Sequence, residues 1–591
     1  TWDTPLMTAA SPRSDRWLWG PVPDLLLGCG LLYALAFAIL VIAGPQIRVH
    51  QALFVFPLLI LLVSTPHYGA TLVRVYEQRA ERRRYYLFSV WLSLGVLGLF
   101  FTALFLPWVA SICVTVLFTW SPYHYMGQNY GIASLFLRKR NIAISDNLRR
   151  VLKASFFFSF AMIFVSMNID GGQPVATPRG YTAPELKFLS LNIPAWTFFP
   201  VSALYLATLA GALIRAAPMR DLGPTLMLIF SQALWFSLPL AAIRFGWFPG
   251  IEVLHLKERA YYFIWIGLAH GIQYLWITSY FARSSKPWSG VSSYWAKTVL
   301  AGTSVWTLPV LLLAPIGLGG FLPVADYAPG YEAGFALIVA AAVNIHHFML
   351  DGVIWRLRNH RIASILLRPD ESSGKEGTNT EYRTRRWLPK TIWTFAGASL
   401  VTSIVVVWAQ GCAFPRELEQ GNWRGAETTF RTLDWLGYAS PQNRIQVGAA
   451  AFDAGDTDDS VRLFQEALAN QPGLSSAHYG LGRALEARGE IEGGIRQYFE
   501  ALEVQPGFAD AHFSLANALA KRNRLDAAIM HYRAAIRSDP LRVSAYNNLA
   551  AALATTGDRH AALEVYRKAL KMDPGNPTAS RSIENLEGTL R

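Results

Sequence analysis

Residues 475–508 read SSAHYGLGRALEARGEIEGGIRQYFEALEVQPGF, and their landmark positions recur along the last third of the chain at a fixed step of 34 residues. Proline falls at Pro472, Pro506, Pro540 and Pro574, and an aromatic at Phe464, Tyr498, Tyr532 and Tyr566. A small residue falls at Ala467, Ala501, Ala535 and Ala569, and a residue suited to a tight turn at Gly455, Gly489, Asn523 and Gly557. Two further columns keep the step: Val447, Leu481, Leu515 and Leu549, each followed by Gly448, Gly482, Ala516 or Ala550. Such self-similarity marks a repeat array, in which each unit buries its apolar face only against its neighbours.

The period and the order of its small, aromatic and proline columns resemble the tetratricopeptide repeat, a pair of antiparallel helices that stacks into an α-solenoid. The resemblance implies four repeats over residues 441–574 within a domain of 441–591. Residues 412–440 form a connector, with a degenerate half-repeat around Gly421 and Phe430. It also implies a concave groove lined by first helices, with Tyr479, Arg483, Phe513, Asn517 and Asn547 facing a peptide or partner protein. The Lys/Asn clamp that some members use for C-terminal carboxylates is incomplete, so that ligand is not expected. The other use of such an array is to pack on the rest of the chain or on a second copy.

The preceding residues have a different character. The chain has 591 residues, 52% of them hydrophobic and only 16% charged, which excludes disordered and fibrous classes and is too apolar for an ordinary soluble protein. Apolar stretches recur near 24–44, 51–69, 86–106, 108–137, 151–169, 195–214, 222–243, 260–282, 296–317, 333–355 and 389–411. About 20 apolar residues suffice for a helix to cross a bilayer core. The expectation is an all-α chain: a polytopic membrane bundle of about eleven spans over residues 1–411, followed by the solenoid.

Net charge is +13, but residues 1–411 hold 33 Lys and Arg against 18 Asp and Glu, whereas 412–591 hold 20 against 22. The excess therefore belongs to the apolar part and gives no reason to expect nucleic acid. With a cytoplasmic N-terminus, 27 of those 33 basic residues lie inside, among them Arg82 to Arg84, Arg138 to Arg140 and Arg383, Arg385 and Arg386. That asymmetry orients the bundle in an inner membrane and places the repeat domain outside the cytoplasm. Three cysteines, Cys29, Cys113 and Cys412, form no metal or redox motif.

Five of the twelve histidines fall in the apolar stretches: His67, His124, His270, His346 and His347. Ionisable groups in a span are costly and point to a functional site. Counting to the next arginine (Arg74, Arg138, Arg283 and Arg356) puts them roughly 10–21 Å from one membrane face, so one polar site can collect them. Polar companions stand three or four residues away, on the same helical face. These are Ser64 for His67, Ser121 and Gln128 for His124, Gln273 and Tyr274 for His270, and Asn344 and Asp351 for His347. Adjacent His346 and His347 point about 100° apart, and the stripe with Asn344 and Asp351 favours His347.

Imidazoles with a carboxylate suit iron or another transition metal, with the companions orienting the ligands. The membrane part weakly resembles the bacterial Brp/Blh-type carotene dioxygenases, polytopic proteins with histidines on several spans that hold iron. That resemblance implies a metal-dependent oxidoreductase acting on a lipid or isoprenoid substrate supplied by the membrane. No histidine lies in the first span here, which leaves the substrate open. Other readings stay open beside it. The histidines can serve as polar glue between helices of a membrane-anchored scaffold or assembly subunit. Alternatively His270 or His347 can act as the base of a metal-free acyl- or glycosyl-transferase.

Overall fold

The computed structural model describes residues 16–43, 58–76, 83–169, 174–176, 182–216, 219, 221–238, 240, 266–285, 289–314, 335–354, 366–367 and 390–590. Residues 44–57, 355–365 and 368–389, with Arg356, Arg383, Arg385 and Arg386 among them, lie outside the described residues. The chain divides into two compact units, one of residues 1–411 with Leu436–Tyr438, the other of Cys412–Trp435 with Ala439–Arg591.

In the first unit a helix lies on each of the eleven apolar stretches. They are α1 Leu31–Ala43, α2 Thr65–Tyr76, α3 Ser93–Phe105, α4 Pro107–Lys139 and α5 Asp146–Met167. There follow α6 Phe198–Ala216, α7 Gly223–Gln232, α8 Gly267–Ser285, α9 Ser289–Leu313, α10 Ala336–Ile354 and α11 Lys390–Trp408. Six helical stretches among the described residues are long and apolar enough to cross a membrane: Leu87–Phe105, Asp146–Met167, Ala195–Ala216, Ser293–Leu313, Ala336–Ile354 and Ile392–Glu419. Among the described residues α1, α2 and α7 are shorter than a span, while α8 and the 33-residue α4 are long enough but diluted by polar residues, His270, Gln273 and Arg283 in α8 and Ser121, His124, Gln128 and Asn129 in α4. Among the described residues the all-helical expectation also meets one small exception, an antiparallel pair of strands, β1 Pro174–Ala176 and β2 Thr182–Lys187, in the segment after residue 169.

Helix α2 crosses α9 in backbone contact. A Cβ on Gly69 would stand 1.8 Å from the Thr298 carbonyl oxygen, and one on Gly302 would stand 1.7 Å from that of Thr65. Only paired glycines permit this approach, and it fixes the depth of His67, which lies between Thr65 and Gly69. Ahead of α2 the chain runs as a π-turn over Ile60–Ser64, a local widening that re-aims the side chains after it. Pro122 removes a backbone donor from α4 two residues before His124.

The second unit starts with α12 Phe414–Glu419 and α13 Trp423–Trp435 and continues as four helical hairpins. These are α14 Pro441–Asp453 with α15 Thr457–Asn470, and α16 Ser475–Ala487 with α17 Ile491–Val504. Then come α18 Ala509–Lys521 with α19 Leu525–Ser538, and α20 Val543–Thr555 with α21 Arg559–Met572, followed by α22 Pro577–Leu590. The sequence columns explain the geometry. Phe464, Tyr498, Tyr532 and Tyr566 are buried between the helices of each hairpin, beside the fully buried alanine column. Gly455, Gly489, Asn523 and Gly557 take φ of 87°, 92°, 59° and 94° where each first helix stops. The next amide then closes back on the helix, as in Asp456 N–H to Ala451 O at 2.9 Å and Glu490 N–H to Leu485 O at 2.8 Å. A left-handed residue is required there, and Asn is the side chain that tolerates it best after glycine.

Candidate functional site

Helices α2, α4, α8 and α10 bring His67, His124, His270 and His347 together with Asp351. Ring nitrogens of His67, His270 and His347 lie within 4.8 Å of one another, and so do donor atoms of His124, His347 and Asp351. His67 and His270 meet Nε2 to Nε2 at 3.1 Å. Their rings stand edge to face, as do those of His67 and His347, with centroids 4.7 and 4.3 Å apart. His67, His270, His347 and Asp351 are buried, and His124 is nearly so.

Tyr274 OH donates to Asp351 Oδ1 at 2.8 Å, and Thr71 Oγ1 stands 3.0 Å from Asp351 Oδ1, 2.6 Å from the Tyr274 oxygen and 3.0 Å from His347 Nδ1. In the tautomer that keeps its proton on Nδ1, His347 donates to Thr71 Oγ1 and turns an Nε2 lone pair toward the second carboxylate oxygen of Asp351; that Nε2 stands 3.3 Å from the oxygen without a hydrogen bond. His124 Nε2 stands 3.8 Å from that same oxygen, and it and His270 Nδ1 also lack a hydrogen-bond partner. An imidazole lone pair held against a buried carboxylate oxygen is stabilised by a cation between them.

The donor set fits a transition metal. Two imidazole nitrogens on one such ion, each at about 2.0–2.1 Å, stand about 2.9–3.4 Å apart at angles of 90–109°. The His67–His270 separation falls in that range. The same distance also suits a direct N–H···N hydrogen bond between neutral rings.

The remaining sequence candidates take other places. His346 turns to a separate knot, its Nε2 2.8 Å from Ser93 Oγ and 3.1 Å from Tyr76 OH. Asn344, read as a companion of His347, instead accepts from Tyr68 OH at 2.8 Å and donates to Ala340 O. Gln128 reaches across to Gln273 Oε1 and the His270 carbonyl rather than to His124, and Ser121 bonds its own helix at Leu117 O. Gln273 donates to Gly28 O and Asn129 Oδ1 and not to the His270 ring, while Tyr274 serves Asp351. Of the companions, Asp351 places its side chain against its expected histidine, and Ser64 meets His67 through its backbone. The same-face rule finds neighbours on one helix, whereas these amides act at crossings between helices.

Sequence reasoning passed over Thr71, four residues after His67 and legible by the same spacing. It also passed over Asn129, Gln232 and Asp24. Fully buried Asp24 accepts from Leu18 N at 2.6 Å, Trp19 N at 3.1 Å and Trp276 Nε1 at 3.0 Å, tying the N-terminal segment to α8. An acidic residue at the head of an apolar stretch was its available signal.

In the repeat unit, Tyr479 and Arg483 lie on α16, Phe513 and Asn517 on α18, and Asn547 on α20. Tyr479 packs on Phe508, with ring centroids 5.1 Å apart, and Arg483 lies over the Phe452 ring at 4.4 Å. The Arg542 guanidinium covers Phe513. Asn517 Oδ1 is engaged by Tyr532 OH at 2.7 Å and Asn548 Nδ2 at 2.8 Å, whereas the buried Asn547 Oδ1 has no partner. One lock is repeated at the 34-residue step: His478 Nε2 to Pro472 O at 2.8 Å, His512 Nε2 to Pro506 O at 3.0 Å, and Tyr546 OH to Pro540 O at 3.1 Å.

The tetratricopeptide repeat family model matches residues 448–510, 494–540 and 513–577. Solved structures that match include the crystal structure of MamA, at 21% identity over 27% of this chain and 94% of that one, with a TM-score of 0.26. A second is YrrB, described as a tetratricopeptide repeat protein with an unusual peptide-binding site, at 20% identity over 30% and 90% with a TM-score of 0.27. A third is a MamA fragment from Desulfovibrio magneticus RS-1, at 19% identity over 29% and 97% with a TM-score of 0.26. Comparison with curated proteins gave no match. The C-terminal solenoid is thus a tetratricopeptide repeat domain, of the kind that binds peptides or proteins.

Proposed function

We propose that the chain is a multi-pass inner-membrane protein whose first unit holds a transition metal, iron in the first instance. In this reading His67, His124, His270 and His347 hold the metal, Asp351 balances its charge, and Thr71 and Tyr274 orient the set. The observation that carries the reading is His347 Nε2 facing the Asp351 carboxylate without a hydrogen bond, with two more ring nitrogens unpartnered beside it. Bound there, such a metal supplies a redox and Lewis-acid centre in an apolar, water-poor site, the setting for oxidative chemistry on a lipid or isoprenoid. The solenoid adds a docking domain for a protein or peptide, outside the cytoplasm if the bundle has about eleven spans with its N-terminus inside. The asymmetry of Lys and Arg between alternate loops supports that orientation.

Metal analysis of the detergent-purified full chain tests the centre. About one iron or other transition metal per chain, lost in His124→Ala/His347→Ala, is the expected result. A metal-free wild-type chain that loses no stability in the double variant would overturn it. A reporter fused after Arg591 tests the orientation, since activity in the cytoplasm is incompatible with it.

A second reading has its own observation. The His67–His270 contact serves equally as a hydrogen bond, so the cluster can be interhelical glue in a scaffold whose working part is the repeat domain. The same metal analysis separates the two.

A further inference from the structure

The first helices of the four repeat hairpins, α14, α16, α18 and α20, carry six charged residues between them. Four of the six are paired inside the solenoid. Arg444 meets Asp434 and Glu466, each at 3.3 Å, Glu486 meets Lys521 at 2.6 Å, and Asp510 meets Arg542. Asp453 is the exposed last residue of α14. Arg483, exposed on α16, is the sixth, and it makes no hydrogen bond or ion pair among the described residues. Its guanidinium lies instead over the Phe452 ring at 4.4 Å and the Tyr479 ring at 5.9 Å.

Two rings hold this guanidinium without using any of its N–H donors, so the donors are oriented and unspent. An arginine in that state takes a carboxylate through two parallel hydrogen bonds and loses little further side-chain freedom in doing so. Apolar surface adjoins it, since Tyr479 also packs on Phe508 with ring centroids 5.1 Å apart. Arginine and tyrosine are the side chains that most often dominate the energy of a protein interface.

The next repeat adds a second donor. Asn517 stands in the column of Arg483, 34 residues on, and its Oδ1 is already engaged by Tyr532 OH at 2.7 Å and Asn548 Nδ2 at 2.8 Å. Its NH2 group has no partner among the described residues and is left to donate. Helices α16 and α18 touch, and packed helices lie about 8–10 Å apart, the span of three residues of extended chain at about 3.3 Å each. Both positions offer donors, so their complement is a pair of acceptors three residues apart, the first of them negatively charged.

We propose that the groove at α16 and α18 binds an extended segment of a partner protein by an internal Asp or Glu side chain. The carboxylate seats on Arg483, an adjoining apolar residue packs on Tyr479 and Phe508, and an acceptor three residues along meets Asn517. This rests on the reading of the solenoid as a docking domain and adds the chemistry of what docks. The carboxylate is that of a side chain, because the Lys/Asn clamp for a chain end is incomplete here.

The test pans random dodecapeptides, displayed without a free C-terminus, on the full chain in lipid nanodiscs, after empty nanodiscs have removed lipid binders. Enriched sequences should share an Asp or Glu. Synthetic, C-terminally amidated copies should bind roughly tenfold or more tighter than copies with that acid changed to Asn or Gln, the margin of hydrogen bonds to a charged group. In Arg483→Gln the acidic peptide and its amide copy should bind alike. Arg496→Gln removes the same charge from an exposed site on α17 and should keep the preference. Enriched sequences without an acid would overturn the proposal while leaving the docking reading in place. A preference that survives Arg483→Gln, or that vanishes equally in Arg496→Gln, would overturn it as well, and so would binding that needs a free C-terminal carboxylate. A chain that enriches no sequence fails the docking reading and the proposal together.

Discussion

The Nε2 atoms of His67 and His270 stand 3.1 Å apart although 203 residues separate them in the chain. A neutral pair at this distance shares one proton, whereas a metal-bound pair shares none, so the contact separates ligand from support. His270→Ala is expected to abolish stoichiometric metal. Tyr274→Phe, which removes a bond to Asp351 and leaves every ring nitrogen in place, is expected to weaken metal binding roughly 10–100-fold. Chelator competition on the purified chain measures both. Equal metal retention in the two variants would contradict the assignment of His270 as a ligand.

The α2–α9 crossing sets where His67 sits. Gly69→Ala places a methyl within bonding range of the Thr298 carbonyl, and since backbone cannot swing aside, the helices must separate. The expected loss is about 1–3 kcal/mol or more in thermal unfolding in detergent, with reduced metal content as α2 shifts. Gly98→Ala on α3 meets nothing within 4 Å and is expected to be neutral. A harmless Gly69→Ala would show that the two backbones do not touch.

How much of this is readable from the chain alone differs between the units. The repeat columns mark hairpin boundaries directly, because each solves a local problem: the left-handed stop at Gly489, the buried ring of Tyr498, the packing of Ala501. In the histidine cluster the residue types and their depth are legible, because an ionisable group in an apolar stretch stands out. The partners are not. Asn344 shares a face with His347 yet bonds Tyr68 from α2, and Gln128 bonds Gln273 from α8, since pairing between helices depends on which faces meet at a crossing.

The left-handed column offers a clean test of the repeat unit. Gly489 has φ 92°, and a methyl group on its Cα would meet nothing within 4 Å, so Gly489→Ala costs backbone strain alone, about 1–2 kcal/mol. Asn523 already occupies the equivalent position at φ 59°, and Asn523→Gly relieves it, so its effect is expected to be smaller and not destabilising through backbone strain. Protease sensitivity and hydrogen exchange over α16 to α19 of the full chain report the difference. Similar effects from both substitutions would argue against the turn geometry.

His531 carries a pH dependence whose direction follows from its burial and its contact with His512. His512 Nε2–H donates to Pro506 O, so in the neutral pair its Nδ1 accepts from His531 Nδ1–H at 3.1 Å. Burial, and secondly the neighbouring His512, hold the His531 pKa below its usual 6.5. The unfolded chain therefore takes up a proton before the folded one does. Stability from this pair is complete above about pH 6.5 and falls as pH drops from there toward the folded pKa, the interval in which the unfolded state binds more protons. One repeat earlier, Gln497 fills the position of His531 and pairs with His478 Nδ1 at 2.8 Å. His531→Gln should thus keep the contact and remove the slope. Hydrogen exchange over α18 and α19 of the full chain between pH 7.5 and 5, corrected for intrinsic rates, measures it. A slope unchanged in His531→Gln would assign the acid sensitivity to another group.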